Sequence, residues 1–443
     1  METPIADFLN AYAAREGARL HMPGHKGKGP LGCERLDITE VGGADALYEA
    51  SGIIARSEMN ATKLFGSGRS CYSTEGSSQC VRAMLYLALM NRPAGRRPLI
   101  LAARNVHKSF VYAAALLDFD IKWLWPLQSY SLCACPVSAK MLETALSGLC
   151  EPPAAVYITS PDYLGNLADV RSLAEVCHRH DTILAVDNAH GAYLHFLPEP
   201  LHPLDLGADI CCDSAHKTLP VLTGGAYLHM GKRIAQRCAS QMKSALALFG
   251  STSPSYLIMA SLDMCNRYLA GAYRGELAEC VSQVERTKRA LAQNGWQVTQ
   301  SDPLRLTIRM PRGLHGETLS DRLREKNIEC EYADETHIVF MITPQTPSDD
   351  LTRLVEALGA NEALPAGESA LPLPEAQAVL RVREAFFRAH EIVSVKDTLG
   401  RICAAPTVAC PPAIPIAVSG ERITPAAMAL FERYNVAYVD VVK

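Results

Sequence analysis

Thr182-Ile183-Leu184-Ala185-Val186-Asp187 is an apolar run that ends on a carboxylate and opens into Asn188-Ala189-His190-Gly191. A second run, Ala208-Asp209-Ile210-Cys211-Cys212-Asp213, opens into Ser214-Ala215-His216-Lys217-Thr218. Both runs have the length and continuous apolar character of strands buried on two faces. Working outward, further strands are expected at residues 99–102, 121–125, 155–159 and 226–229, with helical stretches at 77–90 and 172–180 among them. This alternation predicts an α/β fold around a largely parallel sheet covered on both faces. Ligands of such sheets sit outside the carboxyl ends of the strands, where Asp187 and Lys217 fall.

A carboxylate and a lysine at successive strand ends are the pair that holds pyridoxal phosphate. The lysine forms the Schiff base, and the carboxylate pairs with the pyridinium nitrogen. Three His-Lys pairs compete for the lysine role, ending on Lys26, Lys108 and Lys217. Lys26 lies in the Gly/Pro-rich loop 21–30 (HMPGHKGKGP), where its own segment fixes nothing. Lys108 follows a strand and is plausible by position. Lys217 has a buried strand before it and Asp187 one strand unit upstream, and is the best of the three. For the phosphate, Ser73-Thr74-Glu75-Gly76-Ser77-Ser78 leads into the helix ending near Met90 and offers hydroxyls and free N–H groups. Simple serine capping is the competing reading of that segment. Ser214 and His216 add donors beside Lys217, and His107, at a strand end, suits the open face of a planar ring.

The rest of the chain sets bounds. Of 443 residues, 48% are hydrophobic and 20% charged, an ordinary globular composition with room for two or three domains. The net charge of −4 gives no basic field for nucleic acid or anionic membrane. The 15 cysteines include no CxxC pair, and Cys133/Cys135 and Cys211/Cys212 are the only tight clusters, so reduced, mostly buried thiols are expected rather than a metal site. No signal peptide and no membrane span are expected. Residues 1–60 read as an N-terminal arm with the Gly/Pro loop, including an amphipathic helix at 4–14. Residues 61–270 read as the large domain, 271–363 as a smaller α+β domain, and 364–443 as a C-terminal module after the Pro-rich linker 364–374.

Six ordered runs carry a resemblance: Met22-Pro-Gly-His-Lys-Gly27, Arg104-Asn-Val-His-Lys-Ser109, Thr159-Ser-Pro-Asp-Tyr163, Asp187-Asn-Ala-His-Gly191, Asp213-Ser-Ala-His-Lys-Thr-Leu-Pro220 and Ser251-Thr-Ser-Pro-Ser-Tyr256. With Pro411-Pro-Ala-Ile-Pro415 and Gly420-Glu421, the sequence resembles the ornithine/lysine/arginine decarboxylase family of fold-type-I pyridoxal-phosphate enzymes, in its short form. The resemblance implies a mostly parallel seven-stranded sheet with a smaller α+β domain, and a cytoplasmic enzyme of polyamine biosynthesis. It implies that Lys217 carries the cofactor, Asp187 pairs with the ring nitrogen, and His107 and Ala189 take the two ring faces. His190 joins that cofactor set. Gly76, Ser77, Ser78, Ser214 and His216 would hold the phosphate. Ser251 and Ser253 would reach the phosphate of a neighbouring subunit, which makes a homodimer with shared sites the expectation.

The chain departs from the family's usual residues at Glu75 (usually Asn), Asp162 (Thr), Leu164 (aromatic), Ala413 (Gly) and Ser419 (Pro). Glu75 adds a negative charge near the phosphate loop, which weakens binding unless it points away or meets a cation. The implied reaction is decarboxylation of arginine, lysine or ornithine, with arginine favoured. The proton for Cα comes from His216 or Lys217. Asp162, Glu421, Glu40 and Asp45 are candidates for the acid that meets a basic substrate. Transamination with the same groups, and a degenerate homologue that regulates a partner, are the alternatives.

Overall fold

The computed structural model describes residues 1–91, 97–127, 130–299, 302–362, 371, 377–408 and 412–443. Apart from Leu371, the expected linker 364–374 lies outside the described residues, as does Pro411 of the Pro-rich run.

Seven strands make the main sheet: β1 (Arg69–Ser73), β2 (Leu99–Ala103), β3 (Asp120–Leu124), β4 (Ala155–Thr159), β5 (Ile183–Asp187), β6 (Ile210–Asp213) and β7 (Ala226–Met230). Their order is β1-β7-β6-β5-β4-β2-β3. β2 and β3 run parallel with Leu99 opposite Asp120, and β5 and β6 run parallel with Ala185 opposite Ile210. β7 is antiparallel to both β6 and β1, so those two point the same way. Every residue of β6 and β7 is buried, and so is all of β5 except Ile183. Parallel pairs need crossovers that lay helices on the sheet faces, which is why these strands read as unbroken apolar runs. β1 was not expected. Its buried residues are Ser70, Cys71, Tyr72 and Ser73, a polar set without an apolar signature. Ser70 Oγ meets His229 Nδ1 at 2.7 Å, and Tyr72 OH meets Ser57 Oγ at 2.6 Å, so the hydroxyls are satisfied inside the fold.

The chain divides into two compact units. The first comprises Met1–Gly95, Ala154–Tyr157 and Val170–Glu276. It contains α1 (Pro4–Ala14), α2 (Ile53–Leu64) and α3 (Gly76–Met90). α1 starts with Pro4 in its first turn, and the free N–H groups of Ile5 and Ala6 donate to Asp263 Oδ2 at 2.9 and 3.1 Å. α3 buries Cys80, Val81, Met84, Leu85, Leu87 and Ala88 and packs on β6 and β7, which sets its N-terminus beside the strand ends.

The second unit comprises Arg96–Pro153, Ile158–Asp169 and Leu277–Lys443. It contains α4 (Lys108–Leu117), which follows β2. It also holds a four-stranded antiparallel sheet, β10-β11-β9-β8, formed by β8 (Gln297–Val298), β9 (Arg305–Arg309), β10 (Tyr332–Ala333) and β11 (His337–Met341). Ile308 faces Ile338 across β9 and β11. Further along, β12 (His390–Ser394) pairs with β15 (Tyr438–Val442), and β13 (Thr407–Val408) with β14 (Pro415–Ala417). Val395, Cys403, Ile416, Ile423, Leu430, Phe431 and Val441 form the buried core there. Among the described residues, no helix is long and apolar enough to cross a membrane.

Candidate active site

β5 ends at Asp187 and β6 at Asp213, and in this register Asp187 stands opposite Cys212. One residue after β6 the backbone turns into a short helix, Ala215–Thr218, that carries His216 and Lys217. Asp187 and Lys217 therefore leave the same end of two adjacent parallel strands.

Both groups are held by partners. Tyr157 OH donates to Asp187 Oδ2 at 3.0 Å, and the Ala189 N–H donates to Oδ1 at 3.2 Å. Asp187 is only 3% exposed. Burial, reinforced by the neighbouring Asp187 charge, pushes the Tyr157 phenol far up, so it stays a donor. Lys217 Nζ lies 2.8 Å from His190 Nε2, and His190 is buried. His216 donates its Nδ1–H to the Gly225 carbonyl at 3.1 Å; burial, and after it the Lys217 charge, push its pKa down, leaving a neutral imidazole.

Ser214 Oγ donates to Ser77 Oγ at 2.8 Å, bringing the turn after β6 to the start of α3. Gly76 opens α3 with φ +72° and donates its N–H to the Gly224 carbonyl at 2.7 Å. A Cβ there would meet nothing within 4 Å, so the requirement for glycine is conformational and the space beside it is open. The Glu75 carboxylate accepts the Ser251 N–H, and Ser251 Oγ accepts the Ser253 N–H at 3.1 Å. Glu75 thus turns toward the Ser251 loop of its own chain and is met by a backbone donor rather than a cation.

Beneath these loops lies a polar network that sequence reading missed. Asp213 accepts from Asn188 Nδ2 at 2.7 Å, His202 Nε2 at 3.1 Å and His229 Nε2 at 3.2 Å. Burial opposes the charge on Asp213, but the two imidazoles outweigh it and hold the carboxyl far below its usual range. His202 Nδ1 accepts the Leu204 N–H, so Nε2 carries the proton donated to Asp213. Asn188 and Asp213 were visible in the two quoted runs, whereas His202 and His229 reach Asp213 only through the topology. Tyr157 was also missed; its signal was one polar-tipped residue inside an apolar strand. Cys211 has its ligand atom within 4.8 Å of those of His202 and Asp213, but burial pushes its thiol well up. Cys133 and Cys135 are free thiols, Cys135 pushed up to about 11 by burial.

His107 belongs to the second unit. It caps α4, its Nδ1 accepting the Ser109 N–H at 3.2 Å with Ser109 Oγ 2.8 Å away. Lys26 is exposed and bonds to the His21 carbonyl at 2.5 Å.

Of the proposed substrate acids, three are committed elsewhere. Asp45 accepts from the N–H groups of the adjacent Ala46 and of Ser51, Gly52, Ile54 and Ala55 around the start of α2; these outweigh its partial burial and hold its carboxyl below the usual range. Asp162 accepts from the N–H groups of Leu164 and Asn166 and from Asn166 Nδ2, and burial pushes it up to about 6. Glu421 is buried against Arg104 at 3.3 Å. Glu40 is exposed.

The family model described as "Orn/Lys/Arg decarboxylase, major domain" matches residues 3–310. The chain belongs to this family. It is 31% identical over 458 residues to the arginine decarboxylase of Bacillus subtilis (strain 168), covering 96% of this chain and 91% of that one. It is 28% identical over 479 residues to the arginine decarboxylase of Halalkalibacterium halodurans, covering 99% and 95%. The crystal structure of the Francisella novicida lysine decarboxylase superposes with a TM-score of 0.80 at 17% identity, covering 100% of this chain and 81% of that one, a likeness of fold. This decarboxylase is a pyridoxal-phosphate enzyme. The donor set fits that cofactor: a lysine amine, a buried carboxylate fixed by its own donors, and three serines around an open helix N-terminus. The fold expectation, with its seven-stranded sheet, holds.

Proposed function

We propose that this decarboxylase removes the α-carboxylate of a basic amino acid, arginine before lysine or ornithine, releasing the corresponding amine and CO2. The observation that carries the reading is the emergence of Asp187 and Lys217 from neighbouring parallel strands, each with a dedicated partner. Arginine is preferred because several of the relatives that align along nearly the whole chain are named arginine decarboxylases.

In this reading Lys217 Nζ is the amine that would hold the cofactor through its aldehyde carbon. Asp187, steadied by Tyr157 and Ala189, would pair with the pyridine nitrogen. Ser77, Ser78 and Ser214 would take the phosphate at the positive end of α3, with Gly76 leaving it room and His216 beside it, its backbone and Nδ1 N–H groups engaged by Gly225. When bound, pyridoxal phosphate supplies the electron sink for the bond to the departing carboxylate. His107 and Ala189 would each take a ring face, roles that rest on the family motif alone. His190 accepts a proton from, or hands one to, Lys217 and so sets the direction of its amine. The neutral His216, with Nδ1–H spent on Gly225, is a poor acid, so Lys217 is the group that returns a proton to Cα. Ser251 and Ser253 serve the neighbouring subunit of a homodimer, which works in the cytoplasm on the polyamine route.

The test is amine and CO2 release from arginine, lysine and ornithine, each supplied to the cofactor-loaded protein, with Lys217→Ala as control. Release from arginine above the others, abolished by Lys217→Ala, is expected. No release from any of the three, with a Lys217-dependent visible band still present, overturns the substrate reading.

A further inference from the structure

The loop that carries His107 is tied to the C-terminal part of the second unit. Arg104, three residues before His107, is 7% exposed. Its guanidinium donates through Nη1 to the Pro415 carbonyl at 2.8 Å and through Nη2 to the Ile416 carbonyl at 3.0 Å. Nη2 also lies 3.3 Å from Glu421 Oε2. The indole rings of Trp123 and Trp125 lie 5.0 and 5.4 Å from the guanidinium carbon. Just beyond His107, the Lys108 N–H donates to the Ala413 carbonyl at 3.0 Å. Asn105 Nδ2 donates to the Cys133 carbonyl at 3.0 Å. The segment from Arg104 to Lys108 is thus gripped on both sides of His107, and residues 413–421 supply most of the grip.

The grip is costly to build. Arg104 and Glu421 are both buried, and removing charges from water costs several kcal/mol per ion. Glu421 also accepts the Val418 N–H at 2.8 Å, which closes the turn that presents it. Ala413 holds φ +58°, a left-handed conformation that a non-glycine residue adopts at a cost, and does so where its carbonyl receives the Lys108 N–H. A rigid planar fork close to two indoles, aimed at two carbonyls and a carboxylate, specifies one geometry where a lysine would not. A surface loop without a task has no use for this.

We infer that Arg104 and Glu421 are positioning residues that lock the C-terminal segment 413–421 onto the His107 loop and thereby fix the imidazole for the cofactor. This rests on the role proposed above for His107. The grip acts through the peptide between Arg104 and His107, whose residues Asn105 and Val106 are buried and leave it little freedom.

The test is a thermodynamic cycle on cofactor affinity, read from the visible absorbance and circular dichroism of bound pyridoxal phosphate. The four proteins are the wild type, Glu421→Gln, His107→Ala and the double variant. Glu421→Gln keeps the shape and removes the charge, so the expected result is about a tenfold loss of affinity in the wild-type background. The same change costs less than about twofold when His107 is already alanine, because the grip then has nothing to orient. Equal losses in both backgrounds overturn the inference, since a merely structural role is indifferent to His107. No loss from Glu421→Gln, with a clear loss from His107→Ala, overturns the inference and leaves the His107 role standing. No change in affinity or dichroism from His107→Ala overturns the His107 role and the inference with it. If Glu421→Gln does not fold, Glu421→Asp, which keeps the charge and shortens the reach, goes through the same cycle with the same criteria.

Discussion

Tyr157→Phe isolates the bond that steadies the Asp187 carboxylate. The two rings have nearly the same shape, so the substitution deletes one donor and little packing. Tyr157 OH reaches Asp187 Oδ2 at 3.0 Å, and both residues are buried. A hydrogen bond to a charged group contributes about 1.5–3 kcal/mol, and a buried acceptor that loses its donor forfeits that contribution. The Ala189 N–H bond to Oδ1 and the Cys212 thiol at 3.7 Å remain, and the thiol is too weak a donor to compensate. The cofactor-free protein is therefore expected to lose about 1.5–3 kcal/mol in urea unfolding. Under the role proposed for Asp187, the released carboxylate also pairs less well with the cofactor's ring. A weakening near the lower end of that range corresponds to about tenfold in the dissociation constant, read by titrating the visible band. Unfolding within about 0.5 kcal/mol of wild type, together with affinity within about twofold, would refute the reasoning, because surface-like substitutions fall in that band.

Two other predictions concern the frame around the site. Burial raises Asp162 from 3.8 to about 6, so the stability linked to it is full below pH 3.8 and is lost as pH rises through about 6. Urea unfolding from pH 4 to 7 should show wild type losing stability against Asp162→Asn by up to about 3 kcal/mol, and parallel curves would refute this. Gly76→Ala forces a side chain into φ +72° with no steric contact, so a loss of about 1–2 kcal/mol in unfolding free energy is expected. A loss below about 0.3 kcal/mol would remove the case for a conformational glycine there.

The strand ends were legible because parallel strands covered on both faces leave a strong mark. Val186 and Cys211 are fully buried, and nothing polar interrupts residues 183–186 or 210–212. β1 was illegible for the opposite reason, since its serines and Tyr72 are satisfied by residues from other elements. Three of the four acid candidates are engaged by their own surroundings, for a local reason. Residue type reveals a carboxylate but not whether neighbouring N–H groups have already taken it. In Asp162-Tyr-Leu-Gly165-Asn166 a turn signal was present, because Gly165 at φ +89° lets the backbone curl over the Asp162 side chain. The grip of Glu421 on Arg104 joins residues far apart in the chain, and no periodicity in either segment announces it.

The two aspartates at the strand ends show how a fold assigns different work to one residue type. A carboxylate offers about four lone-pair sites. Asp213 spends its sites on an amide and two imidazoles at 2.7–3.3 Å and is wholly enclosed. To pair with a cofactor it would have to break bonds that brace Asn188, and with Asn188 the loop bearing Ala189 and His190. Asp187 receives one phenol, one backbone N–H and one weak thiol. It is oriented without being saturated, which leaves acceptor capacity for a pyridinium N–H. The sequence presents both carboxylates equally, at the ends of like runs. The neighbours that each strand end meets spend Asp213 as a brace and leave Asp187 with acceptor capacity for the role proposed for it.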